Sequence, residues 1–157
     1  NAFRASYQNT LANVFAYQEN SLEICREIKR QGQVRQYVIT NGITSVQRNK
    51  LELSGFAELM EDIFISEQIG VPKPQKGFFD YCLAKLAQSG LTDPGRLLVV
   101  GDSLTSDIKG GVLSGISTCW YRPEDALEKD PSLREIYGQY RPTYEISRLE
   151  QLKEILD

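Results

Sequence analysis

Short apolar runs alternate along this chain with segments of helical patterning, and this alternation limits the possible folds more than any other feature. The β-rich runs are "QYVIT", "DIFIS", "RLLVVG", "GISTCWY" and "PTYEI". Helical patterns are predicted over 3–16, 20–32, 44–55, 78–90 and from 147 onward. Strands that alternate with helices form βαβ units. The sequence therefore predicts an α/β fold with a doubly wound, mainly parallel, Rossmann-like sheet.

Polar residues before these segments predict where the helices begin. The expected capping boxes are Asn20 with Glu23, Thr44 with Gln47 and Ser147 with Glu150, and Ser106 is expected to cap the short helix after "RLLVVG". That run is apolar along its whole length, which is typical of a strand buried on both faces of a parallel sheet.

The composition excludes several classes of function. The 157 residues contain no histidine, which removes the usual neutral-pH general base, imidazole metal sites and Ser-His-Asp triads. The net charge of −3 comes with scattered basic residues, so we expect no nucleic-acid polymer as a partner. No run is long and apolar enough for a membrane span. The length suits one domain with a single substantial core.

The cysteines indicate a reducing environment. Cys25, Cys82 and Cys119 are odd in number and widely separated, and each lies inside an apolar pattern, so we expect reduced core residues. With no signal-peptide pattern, this favours a cytoplasmic protein. The chain begins at Asn1 rather than at methionine, and we expect it to be a fragment.

The segment "VVGDSLTSDIKGG", residues 99–111, has two incompatible interpretations. As Gly-Asp-Ser-Leu, it would present Ser103 as an esterase nucleophile, but that chemistry needs a base, and the chain lacks the histidine that the esterases use. As Gly-Asp-x-x-x-x-Asp, it would present Asp102 and Asp107 to Mg²⁺, which takes one or two carboxylates together with phosphate oxygens and water. The alternative is structural, with Asp102 making a turn and Asp107 favouring a helix start by its charge.

Two more strand ends carry suitable chemistry, and in doubly wound folds ligands collect at the carboxyl ends of strands. Thr40, Asn41 and Gly42 offer a hydroxyl and backbone N–H groups for a phosphate oxygen, or else form an ordinary Asn-Gly turn. Lys73 lies between two prolines that restrict its backbone, although a lone lysine is usually a solvated surface residue. Together the three strand ends predict metal ligands, phosphate donors and a positive charge in one crevice, which is a set suited to phosphoryl transfer.

These segments resemble a known family. "VITNG", "ISEQIGVPKPQKGFFDYCL" and "LLVVGDSLTSDIKGGVLSGISTCWY" are similar, in this order, to the second, third and fourth motifs of the haloacid dehalogenase-like phosphatases. The residues of these motifs are most similar to those of the pyrimidine 5′-nucleotidases and the house-cleaning nucleotide phosphatases. The resemblance covers residues 20–157. It implies a phosphomonoesterase that acts on small phosphorylated metabolites, nucleotides among them, with Mg²⁺ as cofactor.

The resemblance also implies a role for each matching residue. Thr40 and the Asn41 backbone would hold the phosphoryl group, and Lys73 would neutralise charge between phosphate and nucleophile. Asp102 would bind Mg²⁺, and Asp107 would complete or orient its shell. Gly42 is predicted to be part of the phosphate-binding set, and Ser103 is predicted to be a supporting residue of the site. The family's first motif, Asp-x-Asp-x-Thr/Val, supplies the nucleophile, and no Asp-x-Asp occurs in this chain. We expect the chain alone to be inactive.

The family fold places the first motif on a central strand between "QYVIT" and "LLVVG". Without it those runs would have no shared neighbour, so we expect an amino-terminal segment that completes the sheet. Residues 1–18 would be a remnant helix and hinge of a helical cap, and residues 19–157 the core domain. A non-catalytic binder of phosphates or of a protein partner is the alternative, and a haloacid dehalogenase is a third. Trp120 is expected to pack in the core or at the sheet end.

Overall fold

The computed structural model describes residues 21–122 and 124–157, and it divides into two compact units. Unit 1 contains the described residues up to Gln68 together with Leu156–Asp157, and unit 2 contains residues 69–155. The predicted cap helix over residues 3–16 and the Asn20 cap lie outside the described residues. The boundary predicted between residues 18 and 19 stays a prediction.

Unit 1 is built around two parallel strands. The strands are β1 (Tyr37–Thr40) and β2 (Asp62–Ile65), and the helices are α1 (Ser21–Gln31), α2 (Thr44–Ser54) and α3 (Ser66–Ile69), with a 3-10 turn at Ala57–Leu59. The last residue of α3 clusters with unit 2. The register pairs Tyr37 with Asp62 and Thr40 with Ile65.

The helices of unit 1 end and pack for local reasons. Lys29 and Arg30 in the last turn of α1 complement the helix dipole, and Gly32 follows with a left-handed backbone. Ile24 and Ile28, one turn apart, form the buried stripe of α1. The Thr44–Gln47 capping box is wrong: Ile43 is the N-cap residue and offers no side-chain cap, while Gln47 is buried.

Unit 2 is built around three parallel strands in the order β3-β4-β5. The strands are β3 (Leu98–Gly101), β4 (Ser117–Tyr121) and β5 (Tyr144–Ile146). The helices are α4 (Lys76–Gln88), α5 (Lys109–Leu113), α6 (Ala126–Lys129), α7 (Leu133–Gln139) and α8 (Leu152–Leu156), with 3-10 turns at Pro94–Arg96 and Leu149–Gln151 and a π-helical turn at Leu104–Ile108. The last two residues of the chain, Leu156 and Asp157, cluster with unit 1.

The parallel pairing and the alternation with helices confirm the predicted α/β class. Within the described residues, however, the strands form two sheets, because β1 pairs only with β2 and β3 only with β4. The prediction that β3 is buried on both faces is wrong at Val100, which is 38% exposed, while Val99 is buried. Val99 faces Gly111 of α5, and Val100 points to the opposite face of the strand.

The last predicted helix start needs a similar correction. The side chain of Gln151, rather than Glu150, accepts hydrogen bonds from the backbone N–H groups of Ser147 and Arg148, both at 2.9 Å.

All three cysteines are free thiols, with Cys82 and Cys119 buried and Cys25 partly buried. None of the described helices has the length and apolar character needed to cross a bilayer.

Candidate active site

The loop after β3 brings the two motif carboxylates together through an unusual turn. The carbonyl of Ser103 accepts hydrogen bonds from the N–H groups of both Asp107 and Ile108, at 3.0 and 3.1 Å, which widens the first turn into a π-helical one. The Ser103 hydroxyl caps this turn by accepting from the N–H of Ser106. The expectation that Ser106 is the cap is therefore wrong, because the turn begins earlier than its sequence pattern suggests.

Lys73 and Asp107 form a buried ion pair. Lys73 Nζ lies 2.5 Å from Asp107 Oδ1, and their side chains are 1% and 5% exposed. The other oxygen, Oδ2, accepts a hydrogen bond from the backbone N–H of Ser103 at 3.3 Å. Both Asp107 oxygens are thus engaged by protein donors, so this carboxylate is placed to hold and orient the ammonium group.

Gly101 at the end of β3 makes room for this pair. A Cβ atom built at Gly101 would lie 2.3 Å from Asp107 Oδ2 and 2.5 Å from its carboxyl carbon. A side chain here would displace Asp107 from Lys73. The sequence gives no signal for this role of Gly101, because the close approach depends on the turn geometry rather than on spacing.

Asp102 lies in a different electrostatic setting from Asp107. Its Oδ1 atom is buried and has no hydrogen-bond partner among the described residues. Burial and, next, the charge of Asp107 raise the pKa of Asp102 to about 6, although its own backbone N–H and Lys73 act in the opposite direction. A carboxylate oxygen that is buried without a partner costs free energy unless a cation or proton accompanies it.

The Asp102 carboxylate fits a Mg²⁺ ion. Mg²⁺ binds oxygen ligands, and the Asp102 Oδ1 atom is an oxygen that accepts no hydrogen bond from the described residues. Mg²⁺ usually takes only one or two carboxylates and keeps water or phosphate oxygens as its other ligands. Among the residues that the structure describes, no group of three His, Cys, Asp or Glu side chains could form an all-protein cage. Asp102 would therefore hold the ion with ligands from substrate and solvent.

Ser103 is occupied as a structural residue. Its hydroxyl lies 3.2 Å from the Thr105 hydroxyl and accepts from Ser106 N–H at the same distance. With no histidine in the chain, no imidazole could take its proton. The geometry favours the carboxylate interpretation of this segment over the esterase one.

The predicted phosphate loop lies in unit 1. Thr40 ends β1 and is 1% exposed, and its hydroxyl lies 3.5 Å from the Asn41 carbonyl oxygen. The N–H of Gly42 donates to Ser66 Oγ at 2.9 Å, so the donor expected to be open for phosphate is already engaged. Lys73, Asp102 and Asp107 lie in unit 2. The predicted convergence of all three strand ends stays a prediction.

Trp120 makes a polar contact with the site that the sequence pattern does not predict. It is 2% exposed, as expected for a core residue. Its indole Nε1–H donates to the backbone carbonyl of Asp102 at 3.0 Å. The parallel register places Trp120 opposite Gly101, the residue before Asp102. The contact depends on that register, so the spacing of residues along the chain carries no signal for it.

The fold and this site define a class of protein. Parallel α/β units, a strand-end carboxylate with one oxygen that lacks a hydrogen-bond partner and a buried lysine–aspartate pair are features expected of a phosphoryl-transfer enzyme. Residues 4–115 match the haloacid dehalogenase-like hydrolases. The chain belongs to that family, which confirms the resemblance seen in its motifs.

Relatives and solved structures agree with this membership. The chain is 41% identical over 127 residues to YfnB of Bacillus subtilis, a HAD-type hydrolase, covering 81% of this chain and 49% of YfnB. It is 32% identical to the pyrimidine 5′-nucleotidase YjjG of Escherichia coli, covering 96% and 61%. The pyrimidine 5′-nucleotidase PynA of Streptococcus pneumoniae is 37% identical, with coverage of 77% and 46%.

Two solved structures have the same fold. The crystal structure of magnesium-bound YfnB superposes with a TM-score of 0.73 at 35% identity, covering 88% of this chain and 54% of that one. A HAD phosphatase from Thermococcus onnurineus gives 0.68 at 26% identity, covering 84% and 54%. The chain thus spans about half the length of the relatives that it matches.

Proposed function

We propose that the protein containing this chain is a Mg²⁺-dependent hydrolase of phosphate monoesters of small metabolites, with nucleotides as the favoured substrate class. The observation that carries the proposal is the Asp102 carboxylate, which has a buried oxygen without a protein partner beside the Lys73–Asp107 pair. Family membership and relatives named as pyrimidine 5′-nucleotidases support the substrate class.

In this proposal each residue has a separate task. Asp102 would hold Mg²⁺, which when bound supplies positive charge to phosphate oxygens. Lys73 would bind the phosphoryl group through its ammonium group, and Asp107 would hold that ammonium group in position through the ion pair. Thr40 and the Asn41 backbone would donate hydrogen bonds to the same phosphoryl group. Such preorganised charge is the main source of catalysis in phosphoryl transfer.

We further propose that the attacking carboxylate comes from a segment with the Asp-x-Asp motif, which these 157 residues lack. Asp102 is a poor nucleophile because its lone pairs would be engaged with the metal. The edges of β1 and β3 that have no strand partner in the described structure offer backbone groups to such a segment. The free, mostly buried cysteines support a cytoplasmic location.

The test joins the chain to the part of YfnB that it does not match. We expect the fused protein to hydrolyse nucleoside monophosphates when MgCl₂ is present, measured as released phosphate, and the 157-residue chain alone to release none. The matched control is the same fusion with Asp102→Asn, which should be inactive. A folded fusion without activity on any phosphate monoester would favour the non-catalytic alternative, and turnover by the chain alone would contradict the proposed source of the nucleophile.

A further inference from the structure

We propose that Trp120 is a positioning residue for the metal-binding loop, acting through the backbone of Asp102. The inference rests on the proposed function, because that proposal assigns Mg²⁺ to the Asp102 carboxylate. It goes further by naming what holds this carboxylate in place.

The peptide group that joins Asp102 to Ser103 is held from both sides. Its carbonyl accepts a hydrogen bond from Trp120 Nε1 at 3.0 Å, and its N–H donates to Asp107 Oδ2 at 3.3 Å. In a planar trans peptide the carbonyl and the N–H point in opposite directions, so these two bonds fix the peptide plane. Rotation of the plane would break both bonds together.

The indole itself is firmly packed. Trp120 forms a buried cluster with Leu104 and Ile108 of the π-helical turn. The centroid of the Tyr137 ring lies 5.7 Å from that of the indole, and the Arg122 guanidinium carbon lies 5.2 Å from the indole centroid. Because the indole nitrogen can only donate, its burial requires an acceptor, and the Asp102 carbonyl supplies it.

Loss of this bond would affect the metal site more than the core. The direction of the Asp102 side chain follows from its backbone, and the buried Oδ1 atom has no hydrogen-bond partner among the described residues to hold it. The same peptide carries the N–H that orients Asp107, which in turn contacts Lys73. Groups that orient a metal ligand typically change metal affinity by about 10–100-fold.

The test compares Trp120→Phe with Tyr137→Phe in the 157-residue chain. The first substitution keeps an aromatic ring and removes the donor, while the second alters the same cluster but removes only a hydroxyl that donates to Glu145. MgCl₂ is titrated, and the dissociation constant is read from the backbone amide resonances of Asp102 and Ser103. We expect Trp120→Phe to weaken Mg²⁺ binding about tenfold and Tyr137→Phe to leave it unchanged.

A second variant separates the hydrogen bond from the packing. Replacing Trp120 with benzothienylalanine keeps the bicyclic shape without the N–H, and it should weaken Mg²⁺ binding as Trp120→Phe does. In the parent chain Trp120 is the single tryptophan, so its indole N–H gives one resonance, which should exchange slowly with solvent and shift as MgCl₂ is added.

The outcomes distinguish the two proposals. If both Trp120 variants bind Mg²⁺ as tightly as the parent while Asp102→Asn does not bind it, the role of Trp120 is overturned and the metal assignment stands. If the parent chain does not bind Mg²⁺, or Asp102→Asn binds it equally well, both proposals fail.

Discussion

At the scale of single residues, the two carboxylates of one motif lie in different electrostatic surroundings. Asp107 is paired with Lys73 and with a backbone N–H, so its charge is compensated inside the protein. Asp102 is partly buried, is repelled by Asp107 and has one oxygen without a partner. The protein therefore carries an electrostatic cost at Asp102 that a bound cation would offset.

Asp102→Asn should stabilise the metal-free chain. Because the folded pKa of Asp102 is raised from 3.8 to about 6, the ionised form opposes folding, and this penalty is fully present above pH 6 and absent below pH 3.8. We expect a gain of about 3 kcal/mol in the free energy of unfolding at pH 7.5 and little gain at pH 4. Urea unfolding at the two pH values measures it. A loss of stability at pH 7.5 would contradict the proposed environment of Asp102.

Lys73→Met should strongly destabilise the chain, because it leaves the Asp107 charge buried without its cation. The expected cost is about 3–5 kcal/mol in urea unfolding at neutral pH. The double variant Lys73→Met with Asp107→Leu removes both charges, and we expect it to be more stable than the single variant. Equal or greater loss in the double variant would show that the ion pair contributes less than its geometry indicates.

At the scale of elements, the packing of α5 on its neighbours depends on glycine. A Cβ at Gly110 would lie 2.1 Å from the ring of Phe79, which is 2% exposed in α4, and a Cβ at Gly111 would meet Thr118 of β4 at 2.5 Å. These contacts let the short helix approach both α4 and the sheet. They therefore help to place the carboxyl end of the π-helical turn that carries Asp107.

Gly110→Ala should destabilise the chain, because the added methyl group meets a buried ring that has little room to move. The expected loss is about 1–3 kcal/mol in the free energy of unfolding. Gly138→Ala is the matched control, since nothing lies within 4 Å of its Cβ position and it lies inside α7. This control should be stabilised by about 0.5–1 kcal/mol. Similar effects in the two variants would contradict the packing argument.

At the scale of the whole molecule, the described strands leave sheet edges without a strand partner. β1 and β3 each have one strand neighbour, and Val100 on β3 is exposed. Unpaired strand edges favour association with other chains. This property fits the proposal that a further segment completes the sheet.

Val100→Lys should reduce self-association of the 157-residue chain, because a charge on an exposed strand disfavours edge-to-edge pairing. We expect the parent chain to form oligomers in sedimentation velocity runs and the variant to form fewer. Leu113→Lys is the control, since Leu113 is 56% exposed but lies on α5 rather than on a strand. A monomeric parent chain, or equal effects of the two lysines, would contradict edge-driven association.

Local sequence patterns were enough to predict the fold class and the family of this protein. The alternation of apolar runs and helical stripes determined the α/β class, and the motif spacing around Lys73, Asp102 and Asp107 determined the family. These features depend on residues that are close in sequence, where periodicity and turn chemistry act directly. The same local rules failed at Thr44, Ser106 and Ser147, because caps depend on where a helix begins.

Only the tertiary structure decided how the site is held together. The contact between Lys73 and Asp107 joins residues 34 positions apart, and the bond from Trp120 to Asp102 joins residues 18 apart. The need for glycine at position 101 likewise follows from where Asp107 folds back. Such contacts arise from strand register and from packing around a π-helical turn, and neither is encoded in the spacing of any single segment. The sequence by itself therefore determined which ionisable residues are present and at what spacing. The tertiary structure decided which carboxylate is paired with Lys73 and which has a buried oxygen without a hydrogen-bond partner.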